Sequence, residues 1–169
     1  MIKRLSNLDT KTFRGERGTA YIALPKDVAQ FLPMNPAGEN DEPRVDIAIE
    51  ARLDAAPDQV VTSGVATTNI THVGMGRTAS SHSDLRLNYL QVVATGIRHV
   101  VALTGATAPI AGDLAAIEFL DGVRVRITFI ADAAVKPRLE PLLNERANGW
   151  GWLPPGVIEG WDVDEEASP

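Results

Sequence analysis

One run constrains this fold more than any other. In Arg44–Leu53, the residues Val45, Ile47, Ile49, Ala51 and Leu53 alternate with Arg44, Asp46, Ala48, Glu50 and Arg52. Successive side chains of a strand point to opposite faces. One face of this strand is therefore apolar and the other mostly charged, as in an antiparallel sheet with one buried face. A second run behaves alike: Val123, Val125, Ile127 and Phe129 alternate with Arg124, Arg126 and Thr128. It follows Asp121-Gly122, a pair suited to the positive φ of a tight hairpin turn. Residues 115–120 are the expected partner strand. The two runs place Val45, Ile47, Ile49, Val125, Ile127 and Phe129 in the core.

Other segments complete an outline. Residues 19–24 read as a short strand ended by Pro25, and Pro57 ends the strand that starts at Arg44. Residues 33–43, with three prolines, a glycine and three acids, read as an exposed loop. Residues 60–73 are rich in Thr and β-branched side chains and read as a strand or ribbon, with Gly64 at a bend. Residues 83–103 fit two patterns. Val92, Val93, Ile97, Val100 and Val101 favour a hairpin turning at Thr95-Gly96. Ser81, Asp84, Asn88, Gln91, Thr95 and Arg98 instead form one polar helical stripe, opposite Leu85, Tyr89, Val93, Ile97 and Val101. The stripe favours a helix over 83–103, capped by Ser81 with Asp84 and ended at Gly105. Gly96 then sits mid-helix, where alanine is expected to be neutral or stabilising. A second helix is expected over 138–148, with Leu139, Leu142 and Leu143 on its apolar face. The expected class is α+β: an antiparallel sheet packed against one long and one shorter helix, with extended termini. The expected organisation is a basic arm over 1–18, a single domain over 19–148 and a Trp-rich, acidic tail over 149–169.

Composition excludes several functions. The chain has 169 residues and no cysteine, which removes disulfides, thiolate metal sites and cysteine nucleophiles. Its formal net charge is −6, which disfavours direct nucleic-acid binding and adsorption to anionic membranes. No run of 18 apolar residues is present, so a membrane helix is not expected. The expected location is the cytoplasm or a virion.

Four constellations could carry chemistry. His72, His82, Asp84 and His99 are of metal-ligating and acid–base types; surface histidines are the plainer reading. Ser80-Ser81-His82-Ser83-Asp84 holds every residue type of a hydrolytic triad, but neighbours in sequence cannot normally build one. Gly74, Gly76, Arg77 and Thr78 make a weak anion-binding candidate. A phosphate loop would need Gly where Thr71 stands and Lys where Arg77 stands. Trp150, Trp152 and Trp161 fall within twelve residues, separated by glycines and prolines. Tryptophan on irregular backbone anchors interfaces or covers a core edge.

The termini differ in sign. Residues 1–17 carry five bases (Lys3, Arg4, Lys11, Arg14, Arg17) and two acids, a charge of +3. Residues 157–169 carry five acids and no base, a charge of −5. The leading expectation is a non-enzymatic subunit of an oligomeric assembly, such as a bacteriophage or bacterial structural or connector protein. It would contact itself or neighbouring proteins through Arg4, Arg14, Arg17, Trp150, Trp152 and Trp161, with no cofactor or metal. The alternative is a small enzyme or ligand-binding domain using the loop at 74–84 with His72 and His82.

Overall fold

The computed structural model describes residues 1–16, 21–25, 28, 31, 44–62, 66–73, 82–88, 91–121, 123–144 and 149–153. Gly64, Gly74, Gly76, Arg77, Thr78, Arg17 and Trp161 lie outside the described residues.

In chain order the elements are β1 (Ile2–Arg4), α1 (Asn7–Thr10), β2 (Tyr21–Leu24), β3 (Arg44–Leu53), β4 (Ala56–Thr62), β5 (Ala66–Val73) and β6 (His82–Asn88). There follow α2 (Gln91–Thr104), β7 (Leu114–Asp121), β8 (Arg124–Ile130), α3 (Lys136–Leu139), a 3-10 turn over Glu140–Leu142, and β9 (Trp150–Gly151). The class is α+β.

Two sheet layers share β3. The first half of β3 pairs with β5, giving an antiparallel layer ordered β2-β6-β5-β3. The second half lies between β4 and β8 in a six-stranded layer ordered β4-β3-β8-β7-β1-β9. That layer is mixed, because β3 and β8 run parallel from Ala48↔Arg124 to Leu53↔Phe129. The expected purely antiparallel sheet is thus corrected. Alternation fixes which face a strand buries, and either strand direction satisfies it.

The alternating runs bury the expected residues from Ile47 onward, and the side chain of Val45 lies outside what is described. Ile47, Ile49, Ala51 and Leu53 of β3 and Val125, Ile127 and Phe129 of β8 join Ala115 and Ile117 of β7 in the main core. Val93, Ala94, Ile97 and Val100 of α2 cover it, and Phe13 meets Phe129 edge to face, ring centroids 4.9 Å apart. β7 and β8 pair antiparallel from Leu114↔Ile130 to Asp121↔Arg124, as the expected hairpin requires, with the Val123 N–H donating to Asp121 Oδ1 at 3.0 Å; Gly122 itself lies outside the described residues. A second, smaller core lies on the other face of the layer. There Ile2, Leu114, Ala116 and Ile130 meet Leu139, Val135, Leu143 and Leu153.

Three expectations need correction. Residues 83–103 are not one helix: His82–Asn88 is a strand and the helix begins at Gln91. Leu85 and Leu87 alternate with Asp84, Arg86 and Asn88, so period two fits these residues too. Pairing with both β2 and β5 supplies the backbone partners that decide it. The C-terminal helix is a single turn followed by a 3-10 turn, ending at Leu142. Pro141 has no N–H for a continuing α-helical ladder.

The third correction concerns the basic arm. Residues 1–5 are an interior strand and its exit, not a free extension. β1 pairs with β7 on one side and β9 on the other, and Met1, Ile2, Lys3 and Leu5 are buried. Lys3 forms a buried ion pair with Asp9. Asp9 also accepts from the Ser6 N–H and hydroxyl, at 2.7 Å each, completing a capping box at the start of α1.

Gly96 lies mid-helix as expected, yet its surroundings reverse the expected effect of alanine. A Cβ there would lie 2.3 Å from Val61 Cγ1 on β4. Helix propensity favours alanine by about 1 kcal/mol, but overpacking a close contact costs about 1–3 kcal/mol. Gly96→Ala should therefore lower the urea midpoint. In a Val61→Ala background the same change should cost little. A stabilised Gly96→Ala single variant would show that α2 does not seat this closely on β4.

Candidate functional site

A run of four aromatic rings occupies the β9 end of the main-core face. Register shows how the strands aim it. Trp150 lies opposite Lys3, and Lys3 opposite Ala115, so Trp150 shares the face of the main core. Trp152, two residues on, keeps that face. Gly151 between them presents the opposite face, where a Cβ would meet the carbonyl oxygen of Leu142 at 1.8 Å. The Trp-Gly-Trp sequence thus places two rings on one side of β9 and bare backbone on the other.

The rings make contacts of ordinary aromatic geometry. Trp150 and Trp152 meet edge to face with centroids 6.0 Å apart. Trp152 meets Phe31 edge to face at 5.2 Å. Phe31 stacks on Phe119 of β7 at 5.9 Å. Phe119 and Trp150 are partly buried, and Phe119 packs against the main core. Phe31 and Trp152 remain 45% and 42% exposed. The inner rings anchor the run, and the outer two stay partly exposed.

The outer sheet edges carry features that oppose strand addition. At β9, Asn144 donates from its N–H to the Trp150 carbonyl at 3.0 Å, and its side-chain oxygen accepts from the Trp150 N–H at 3.4 Å. At β2, Asp9 Oδ1 accepts from the Ala23 N–H at 3.4 Å. At β4, Pro57 removes one donor. Side-chain surface, rather than bare backbone, is what this end of the molecule presents.

Of the basic residues expected at an interface, Arg4 and Arg14 each face an acid of the same chain, and Arg17 lies outside the described residues. Besides the buried Lys3, Arg4 faces Glu140 at 3.6 Å. Arg14 donates to Glu16 at 2.7 Å, and this bond holds the Glu16 carboxyl below its usual range. On the face of the six-stranded layer that carries the second core, Arg126 lies between Glu50 at 3.1 Å and Glu118 at 3.9 Å. One arginine against two carboxylates leaves that group with a formal charge of −1.

The histidine set is placed by the backbone register of two strands and a helix. β5 and β6 pair His72 with Ser83, Val73 with His82, and Thr71 with Asp84. His82 and Asp84 are two positions apart on β6, and His72 lies one position out of register with His82. His99 is exposed on α2, a separate element. Sequence reasoning found Trp150 and Trp152 but missed Phe31 and Phe119. The alternation within Trp-Gly-Trp was the available signal for a shared face; nothing local marked Phe31. Among the described residues no helix is long and apolar enough to cross a membrane.

Comparison with protein-family models finds no match, and comparison with curated proteins finds none at a significant level.

Proposed function

We propose that the chain is a non-enzymatic structural or connector subunit of a larger protein assembly, docking through the aromatic end of its sheet. The observation that carries this reading is the outward exposure of Phe31 and Trp152 on rings anchored from behind by Trp150 and Phe119. Large rings held rigidly and left half in water are the usual anchors of protein interfaces, because their burial costs little conformational entropy. The edge features described above favour side-chain docking over β-strand pairing.

The test is association of the full-length chain with its native neighbours, followed by light scattering. Trp152→Ala and Phe31→Ala should each weaken the complex at least tenfold, the loss typical of an interface anchor worth about 1.4 kcal/mol or more. Neither should shift the melting midpoint by more than a few degrees, since both rings are already partly in water. A chain that stays monomeric and joins nothing would overturn the reading.

A further inference from the structure

The geometry of the aromatic run discriminates between the shapes a partner can have. An added strand finds no free backbone at Trp150, because Asn144 already engages both its N–H and its carbonyl. A docked helix needs a continuous apolar groove. Here Phe31, Trp152 and Trp150 meet at interplanar angles of 65° and 86°, so successive rings leave notches rather than a groove.

Two features fit a polyproline II segment instead. The first is spacing. Ring centroids step by 5.2 Å from Phe31 to Trp152 and by 6.0 Å from Trp152 to Trp150. Two residues of polyproline II advance roughly 6 Å along the axis, so alternate residues of such a segment fall in step with the rings. The second is a hydrogen-bond donor. Trp150 is half-buried, yet its indole N–H reaches solvent and has no acceptor among the described residues. Indole can only donate. A polyproline II segment forms no internal hydrogen bonds, so its carbonyls are free to accept, and proline has no N–H of its own.

Resting on the interface reading above, we propose that this end of the molecule takes a proline-rich segment of a partner protein in the polyproline II conformation. Phe31 and Trp152 pack its pyrrolidine rings, and Trp150 donates from Nε1–H to one of its carbonyls. The segment is extended before it binds, so ordering it costs little.

The experiment uses the full-length chain and three labelled 18-residue peptides: an oligoproline, a glycine–serine repeat, and an amphipathic helix of leucine, alanine and glutamine. By fluorescence anisotropy, oligoproline should bind at least tenfold more tightly than either of the others. Trp152→Ala and Phe31→Ala should each weaken that binding at least tenfold. Trp150→Phe keeps a ring and removes the donor, and should weaken it about three- to tenfold, the loss of one hydrogen bond. In the nitrogen-15-labelled chain, the indole N–H signal that Trp150→Phe removes should move downfield when oligoproline is added. If oligoproline binds no more tightly than the glycine–serine repeat, or the helix binds more tightly through Trp152, the polyproline partner is wrong. The interface reading then still stands wherever Trp152→Ala weakens association with the native neighbours. If the Trp150 indole signal stays in place and Trp150→Phe binds like the parent, the proposed seat is overturned. If neither Trp152→Ala nor Phe31→Ala weakens peptide binding or association with the neighbours, the interface reading itself falls. Phe31→Ala provides a second variant should Trp152→Ala fail to fold.

Discussion

Removing the Asp9 carboxylate should cost about 3–5 kcal/mol, the loss typical when one partner of a buried ion pair is deleted. The side chains of Lys3 and Asp9 are 5% and 1% exposed. Without the carboxylate, the Lys3 ammonium would remain in the core with no counter-charge. Asp9 has further duties. Its Oδ2 accepts from the Ser6 N–H and hydroxyl, and its Oδ1 from the Ala23 N–H. One carboxylate thus ties β1, the start of α1 and β2 together. Asp9→Ala should accordingly be worse than Asp9→Asn, which keeps an acceptor for Ser6. The double variant Lys3→Met with Asp9→Asn should recover most of the loss, because it removes the orphaned charge and retains the cap. Urea denaturation of the parent, Lys3→Met, Asp9→Asn and the double variant closes the cycle, with Asp9→Ala measured beside them. An Asp9→Ala midpoint equal to the parent's would show that the pair is not buried.

The same junction shows where local sequence pattern runs out. Lys3 and Asp9 are six residues apart and of opposite sign, yet both belong to types that are almost always solvated. Residue type alone therefore assigns Lys3 to a solvated +3 arm. Three residues, Ile2–Arg4, are too few to display a strand period, so the central position of β1 was illegible. The long alternating runs of β3 and β8 were legible because period two over ten and seven residues has few other readings. Their parallel pairing was not, since alternation carries no direction. Residues 83–88 satisfied both the polar helical stripe and period two, and only the strands on either side resolve the choice. At the candidate site, Trp150 and Trp152 were visible as a cluster. Phe31 comes from a segment with no periodicity, and its stacking on Phe119 depends on a chain path that no local pattern encodes.

Gly151→Ala should be the most damaging addition of a single methyl group in the described residues, and it should separate folding of the site from its use. The added Cβ would lie 1.8 Å from the Leu142 carbonyl oxygen and 2.8 Å from the carbonyl carbon. Those atoms are backbone in the turn that also supplies Asn144 to the β9 edge, so no rotamer change relieves the clash. Either the turn and β9 stay packed under strain of about 3 kcal/mol, the upper part of the range for overpacking, or β9 leaves β1. Departure of β9 would pull Leu153 from the second core and Trp152 from Phe31. Both routes lower the melting midpoint, and the second also erases the near-ultraviolet circular dichroism that fixed tryptophans give. Trp152→Ala offers the contrast: association should be lost while the midpoint barely moves. If Gly151→Ala left both midpoint and aromatic dichroism unchanged, β9 would not be seated against the Glu140–Leu142 turn. The rigid mounting on which the proposed anchoring by Phe31 and Trp152 rests would then have no structural basis.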